Sequence, residues 1–234
     1  MYLAAILAGV ILFFIAKNLW RPRLDRAWIP LHEKQPRLAI TGHMLTIENV
    51  RHARYRSEFE YDVTWTTESY GLNMLSGAYF VTEPYALLQA HTFLILDFSG
   101  KKVCLSVEVR KTEMKDFKVW HVITNNYEIF YIIADEDDVV KLRRDVRKDP
   151  LHYNELNFST DELRALVNSI QSETNKYNER AWWYRLLHRN CTTEPLRNIR
   201  NARPGIPSWS WKYVATTEAE KLLHEGTYIK IGAK

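Results

Sequence analysis

Apolar and polar positions change rhythm three times along the chain. Tyr2 to Ala16 is apolar without a break except at Gly9, and Lys17, Asn18, Leu19 and Trp20 follow. Arg21 to Arg37 has no period and carries Pro22, Pro30 and Pro36, so it predicts a linker. From about Leu38 the period becomes that of strands. Ala39–Thr41 and Met44–Ile47 flank a Gly42-His43 turn and predict a hairpin, with weaker strands at Thr64–Ser69 and Gly77–Val81. The strongest strand signals are His91–Phe98, Val103–Arg110 and Tyr127–Ala134.

After these strands the period becomes helical. Asp135–Asp138 opens a helix whose later turns carry Lys141, Arg143 and Arg144; acid first and base last suits the helix dipole and predicts a solvated helix. Ser159-Thr160-Asp161-Glu162 reads as a capping box, and Leu163, Leu166, Val167 and Ile170 follow at helical spacing in a helix ending near Glu179. Glu194-Pro195 marks the first turn of a helix running to about Ile199, and a last helix is expected around Thr217–His224. The expected fold is α+β, with one antiparallel sheet and helices gathered in the second half. The expected organisation is an anchor over 1–20, a linker over 21–37 and one domain over 38–234.

Fifteen apolar residues are short for a membrane span, which takes about 20, but Asn18 to Trp20 extend the stretch to the headgroup level. No small-x-small cleavage site follows, which favours an uncleaved single-pass anchor over a removed signal peptide. Lys17, Arg21, Arg23 and Arg26 all follow the stretch, so the charge rule alone points the body toward the cytoplasm. The net charge of +4 favours anionic lipid but forms no dense basic block, so a nucleic-acid partner is not expected. Two cysteines, Cys104 and Cys191, cannot build a disulfide framework.

The candidate chemistry lies in Ala90-His91-Thr92-Phe93-Leu94 and Asn190-Cys191-Thr192-Thr193. A turn at Ser99–Lys102 would set His91 opposite Arg110 and Phe93 opposite Glu108. Strand alternation then divides the hairpin. Thr92, Leu94, Leu96, Phe98, Val103, Leu105, Val107 and Val109 form a core face. His91, Phe93, Ile95, Asp97, Cys104, Ser106, Glu108 and Arg110 form a second face, where Glu108 could orient His91 as a diagonal neighbour. Cys191, at a helix mouth, would gain thiolate character from the dipole and an oxyanion site from free N–H groups. Cys191, His91 and Glu108 are thus the expected catalytic set, with Asn190, Thr192, Arg110 and Ser106 in support. The bland readings are a core Cys191, a surface His91 and a solvated Glu108–Arg110 pair. Asn126 is an alternative partner for His91, Cys104 reads as inert core, and Trp182-Trp183-Tyr184 as core or a lipid-facing rim. The other histidines have no ligand spacing, and there is no phosphate-binding glycine loop, dinucleotide fingerprint or serine elbow, so no metal or cofactor is expected.

The chain resembles the Lnb N-terminal periplasmic domain family of bacterial membrane proteins. The resemblance rests on Ile47-Glu48-Asn49-Val50-Arg51, Tyr55-Arg56-Ser57-Glu58, the His91 motif, Ser106-Val107-Glu108-Val109-Arg110, Ile133-Ala134-Asp135-Glu136-Asp137-Asp138-Val139 and the Cys191 motif, in order over about residues 28–230. Leu151-His152-Tyr153, His188-Arg189 and Tyr79-Phe80 depart from the family pattern. The resemblance implies a permuted papain-like fold of the NlpC type, as in lecithin:retinol acyltransferase relatives. It implies that Cys191 takes an acyl chain from membrane phospholipid and passes it to a lipoprotein amino group, and that the domain sits in the periplasm on the inner membrane. A cysteine amidase or esterase of the same fold, and a non-catalytic envelope scaffold, are the competing expectations.

Overall fold

The structure is a computed structural model and describes residues 2–19, 21–113 and 127–230. His121 and Asn126 lie outside the described residues. After helix α1 (Tyr2–Leu19) come strands β1 (Arg37–Thr41), β2 (Met44–Tyr55), β3 (Tyr61–Gly71), β4 (Leu75–Ala86), β5 (Gln89–Phe98), β6 (Lys101–Arg110), β7 (Glu128–Asp135) and β8 (His152–Glu155). They form one sheet in the order β1-β2-β7-β6-β5-β4-β8, with β3 on β2. A π-helix (Asp137–Arg147) follows β7, and α2 (Thr160–Glu179), α3 (Thr193–Ala202) and α4 (Ala219–Glu225) complete the chain. The α+β expectation holds.

The sheet is covered on both faces. On the inner face Leu94, Leu96, Phe98, Leu105 and Val107 pack with Leu163, Leu166, Val167 and Ile170 of α2 and with Leu196 and Ile199 of α3. These are the residues that alternation assigns to the core. The outer face is also closed, which the sequence reading did not foresee. There Phe93, Ile95, Cys104, Phe130 and Ile132 meet Val139 and Val140 of the π-helix. The charged stretch after Asp135 is therefore not a solvated helix: Asp138 and Arg143 are buried in it. Two buried guanidinium pairs reconcile charge with burial. Arg51 meets Asp138 at 2.8 and 2.7 Å and donates from Nη1 to the Leu31 carbonyl at 3.0 Å. Arg143 donates to Glu83 at 2.7 Å and to Glu108 at 3.3 Å.

Two local details change the expected register. The β5–β6 hairpin turns on two residues, Ser99 and Gly100, both with positive φ (53° and 96°), so Phe98 pairs with Lys101 and Phe93 with Ser106. Compared with the expected turn, every partner shifts by two. The shift is even, so each side chain keeps its face. Strand β2 does not stop at Ile47. It passes a bulge at Asn49 (φ 59°), a residue type that tolerates the left-handed region, and then continues to Tyr55.

Residues 21–37 lie against the body rather than apart from it. Ile29, Leu31 and His32 are buried, and the Arg23 N–H donates to Glu128 at 3.1 Å. Helix α1 has 18 residues and rises about 27 Å, just under the roughly 30 Å of a bilayer's hydrocarbon core. Among the described residues no helix is long and apolar enough to cross a membrane.

Helix α2 starts as the sequence requires. Ser159 accepts from the Glu162 N–H while Glu162 accepts from the Ser159 N–H, closing a capping box. Ser159→Ala should cost about 1 kcal/mol, seen as a lower urea midpoint with an unchanged denaturant slope.

Candidate functional site

Strand β5 carries one candidate on each face of the sheet. His91 points to the outer face, where its Nε2 and the Ser106 hydroxyl are 2.8 Å apart. Ser106 in turn donates to Glu108 at 3.1 Å. Glu108 therefore reaches His91 through a serine, not directly as a diagonal neighbour. Glu83, the residue opposite His91 on β4, completes the group, and Arg143 bridges Glu83 and Glu108 with its guanidinium 5.1 Å from the Phe93 ring centre.

Burial governs the charges here. Burial, followed by the Arg143 guanidinium, pushes the His91 imidazole down to about 3, so it is neutral at ordinary pH. For Glu108 burial works upward, but the guanidinium charges of Arg143 and Arg51 outweigh it and hold the carboxylate ionised, well below its usual range. His32 is a second buried imidazole on this face, which no sequence signal marked. Its Nδ1 accepts from the Lys111 N–H at 2.9 Å, and burial takes it too down to about 3. His32, Arg51, Tyr55, Glu58 and Glu108 share a polar pocket with Arg143.

Arg110 has a different task from the one expected. It donates to the carbonyls of His32 and Glu33 at 2.9 and 2.8 Å and stacks under Trp28 at 4.3 Å. It thereby fastens the segment after α1 to the sheet. It forms no pair with Glu108.

Cys191 lies on the inner face. The hydroxyl of Thr92, the neighbour of His91, donates to the Cys191 carbonyl at 2.7 Å from the side of the sheet opposite to the imidazole. Among the described residues no hydrogen bond joins Cys191 to His91: the imidazole bonds Ser106 instead, while the charge of Glu108 reaches the thiol. The nearest partner of the thiol is Tyr184, whose hydroxyl donates to Sγ at 3.5 Å and accepts from the Cys191 N–H at 3.3 Å. Tyr184 and Trp183 are buried, which settles the aromatic cluster there as core.

The mouth of α3 is already occupied. The Asn190 side-chain oxygen accepts from the N–H groups of Thr192 and Thr193, each at 2.8 Å, and its carbonyl accepts from the Glu194 N–H at 3.2 Å. The free donors expected for an oxyanion are thus taken by Asn190, and Thr192 is buried beside Thr92. Burial pushes the Cys191 thiol above its ordinary value, with Tyr184, Thr92 and Thr192 opposing. The resting thiol is therefore protonated rather than a thiolate. Cys104 is buried on the outer face and equally free of a disulfide, and burial drives its thiol far up. No group of three or more His, Cys, Asp or Glu that could hold a metal ion occurs among the described residues.

A buried neutral His91 makes stability depend on pH. Its folded pKa of about 3 lies below the unfolded value near 6.5, so the unfolded chain binds more protons between the two. The stabilisation is full above pH of about 6.5 and is lost as pH falls toward 3; the lowered Glu108 adds a further loss below about 4.3. His91→Gln should flatten the decline of the urea midpoint between about pH 6.5 and 4.5, leaving the share that belongs to His32. A variant that declines as steeply as the parent would show that His91 is not held neutral.

A family profile described as the Lnb N-terminal periplasmic domain matches residues 61–220, roughly two thirds of the chain. The match takes in β3 to β8, the π-helix, α2 and α3, and so both His91 and Cys191. No curated protein and no solved structure matches the chain significantly. The chain belongs to the Lnb N-terminal periplasmic domain family, which points to the cell envelope as its place of work.

Proposed function

We propose that this envelope protein is a cysteine-dependent acyltransferase, in which Cys191 takes an acyl group from a membrane phospholipid and passes it to an amine, such as the terminal amino group of a lipoprotein. The observation that carries the reading is the setting of the thiol. Cys191 keeps 9% of its surface exposed at the mouth of α3, and one hydroxyl, that of Tyr184, lies against both its Sγ and its N–H. An acyl oxygen that replaces the tyrosine oxygen as acceptor of that N–H comes within reach of the Tyr184 hydroxyl as well. Two donors then converge on the charge that develops as sulfur attacks. In the first step the S–C bond forms, the ester C–O bond breaks, and the lysophospholipid leaves with the thiol proton. In the second step the amine displaces the thiol, which takes back a proton.

In this reading His91, Ser106 and Glu108 act through the sheet. They hold β5 in place from the outer face, and Thr92 transmits that position to the Cys191 carbonyl. Helix α1 holds the chain at the inner membrane with its body in the periplasm. A second reading, a non-catalytic binding module of the envelope, draws on the protonated thiol and on an imidazole bonded to Ser106 rather than to the thiol.

The test is the intact mass of the detergent-solubilised chain after incubation with phospholipid. A fatty-acyl mass that hydroxylamine removes should form on the parent, be absent from Cys191→Ala, persist in His91→Gln, and form about a hundredfold more slowly in Tyr184→Phe. No adduct on the parent, or an adduct that survives in Cys191→Ala, would leave the binding module as the better account. Complete loss in a folded His91→Gln would instead return the imidazole to the thiol.

A further inference from the structure

One end of the sheet gathers features that neither the core nor the thiol chemistry uses. Because β4 to β7 form an antiparallel meander, the end of β4, the start of β5, the end of β6 and the start of β7 all lie at that end. Three surface segments meet there. The first is the β4–β5 turn, with Tyr85, Leu87 and Leu88 more than half exposed, Leu87 at 93%. The second is the turn before α3, where Leu187 is 55% exposed. The third is the stretch before α4, where Trp209 and Trp211 are 61% and 56% exposed.

These segments are joined, not scattered. The Ala90 N–H donates to the Thr216 hydroxyl at 2.5 Å, tying the β4–β5 turn to the third segment. Leu187 and His188 share a groove with Ser208 and Tyr213 across α3. Tyr85 lies close enough to Cys191 for their ionisations to be coupled, which brings the β4–β5 turn to the mouth of α3. Single exposed apolar residues are ordinary, but large ones gathered on three adjoining segments mark a contact surface.

Charge and connection identify the occupant. Arg185, His188, Arg189, Arg197 and Arg200 lie along the second segment and α3. Apart from burial, the influences lowering His188 are Arg189, Arg185 and Arg197, a cluster of like charge. Arg197 is paired with Glu194 and Glu173, whereas Arg189 and Arg200 form no ion pair among the described residues. Apolar side chains with cations beside them suit an anionic lipid surface, tryptophans at headgroup level and arginines toward the phosphates. The chain leaving α1 is fastened at the same end: the Arg23 N–H and the Arg26 guanidinium both meet Glu128 at the start of β7, at 3.1 and 2.9 Å, and Glu128 is bridged to Trp183.

We infer that this end of the domain, with Leu87, Leu88, Leu187, Trp209 and Trp211 as its apolar contacts and the Arg185–Arg200 cluster as its cationic contact, docks on an anionic phospholipid surface. The contact is separate from α1 and does not depend on the thiol. It sets the mouth of α3 face down on the bilayer, so a long-chain ester would reach Cys191 without leaving the lipid phase.

The test is hydrogen–deuterium exchange on the full chain carrying Cys191→Ala, in nanodiscs of phosphatidylcholine alone or with about 30% phosphatidylglycerol, beside detergent micelles. The Cys191→Ala background keeps the result apart from the acyl-transfer reading, since docking persists when no thioester can form. Amides of 86–89, 187–189 and 209–212 should exchange at least roughly fivefold more slowly in the anionic discs than in micelles. That protection should weaken at about 0.5 M salt. Leu87→Glu with Trp211→Glu, both at the surface, should abolish it while the amides of β5 to β7 stay protected. Equal exchange in all three media would overturn the inference. So would protection in micelles that rises with protein concentration, which would mean that a second copy covers the rim.

Discussion

The guanidinium of Arg143 is the contact on which the outer half of the molecule depends. It descends from the π-helix onto β5, lies near the ring of Phe93, and joins Glu83 of β4 to Glu108 of β6. One cation thus ties three adjacent strands to the element that covers them. Its own carbonyl contact, to Val139 at 2.9 Å, turns the side chain back onto the helix that carries it. Charges taken this far from water are tolerated only when they satisfy one another, and loss of one member strands the rest, typically at 3–5 kcal/mol. Arg51 and Asp138 repeat the device at the other end of the π-helix, where Asp138 also accepts the Ala53 N–H at 2.8 Å. Glu83, Glu108, Arg143, Arg51 and Asp138 are all committed to this framework.

That commitment gives the two halves of the candidate site different characters. On the outer face, histidine, serine and carboxylate form a closed chain whose imidazole stays neutral. At the mouth of α3, the thiol sits beside the Tyr184 and Thr192 hydroxyls at the edge of solvent. Among the described residues of β5, Thr92 is the one whose side chain hydrogen-bonds the cysteine segment. The two sets are linked through one backbone, not through a shared hydrogen-bond network.

Much of this architecture can be read from the sequence, because local rules decide it. The capping box at Ser159, the alternation of β5 and β6, the proline in the first turn of α3 and the Gly42-His43 turn each act within a few residues. Face assignment survived a wrong turn length because an error of two residues leaves parity intact. What could not be read depends on partners distant in sequence. Nothing near Asp138 announces Arg51, 87 positions away. Nothing near Arg143 marks it as buried, since its surroundings carry the charge pattern of an exposed helix. The partners within the site are hidden for a related reason. Thr92 joins the two motifs through the Cys191 carbonyl, while the His91 imidazole bonds Ser106 and the thiol meets Tyr184, pairings that no local pattern announces. Asn190, read only as a supporting residue, proved to be the group that consumes the helix-mouth donors.

The π-helix has a consequence of its own. Wide helical turns are rarely kept over 11 residues, and here the width sets which side chains face the sheet. Removing one residue from its middle would rotate everything beyond the cut by about 100° relative to the sheet. Val139 would still sit on Phe130 and Ile132, but Arg143 would swing toward water, leaving Glu83 and Glu108 to repel each other under an apolar lid. A single-codon deletion in this stretch would therefore act as an unlatching of the outer layer. Sequence gaps among relatives at these positions would mark the members that no longer carry the latch.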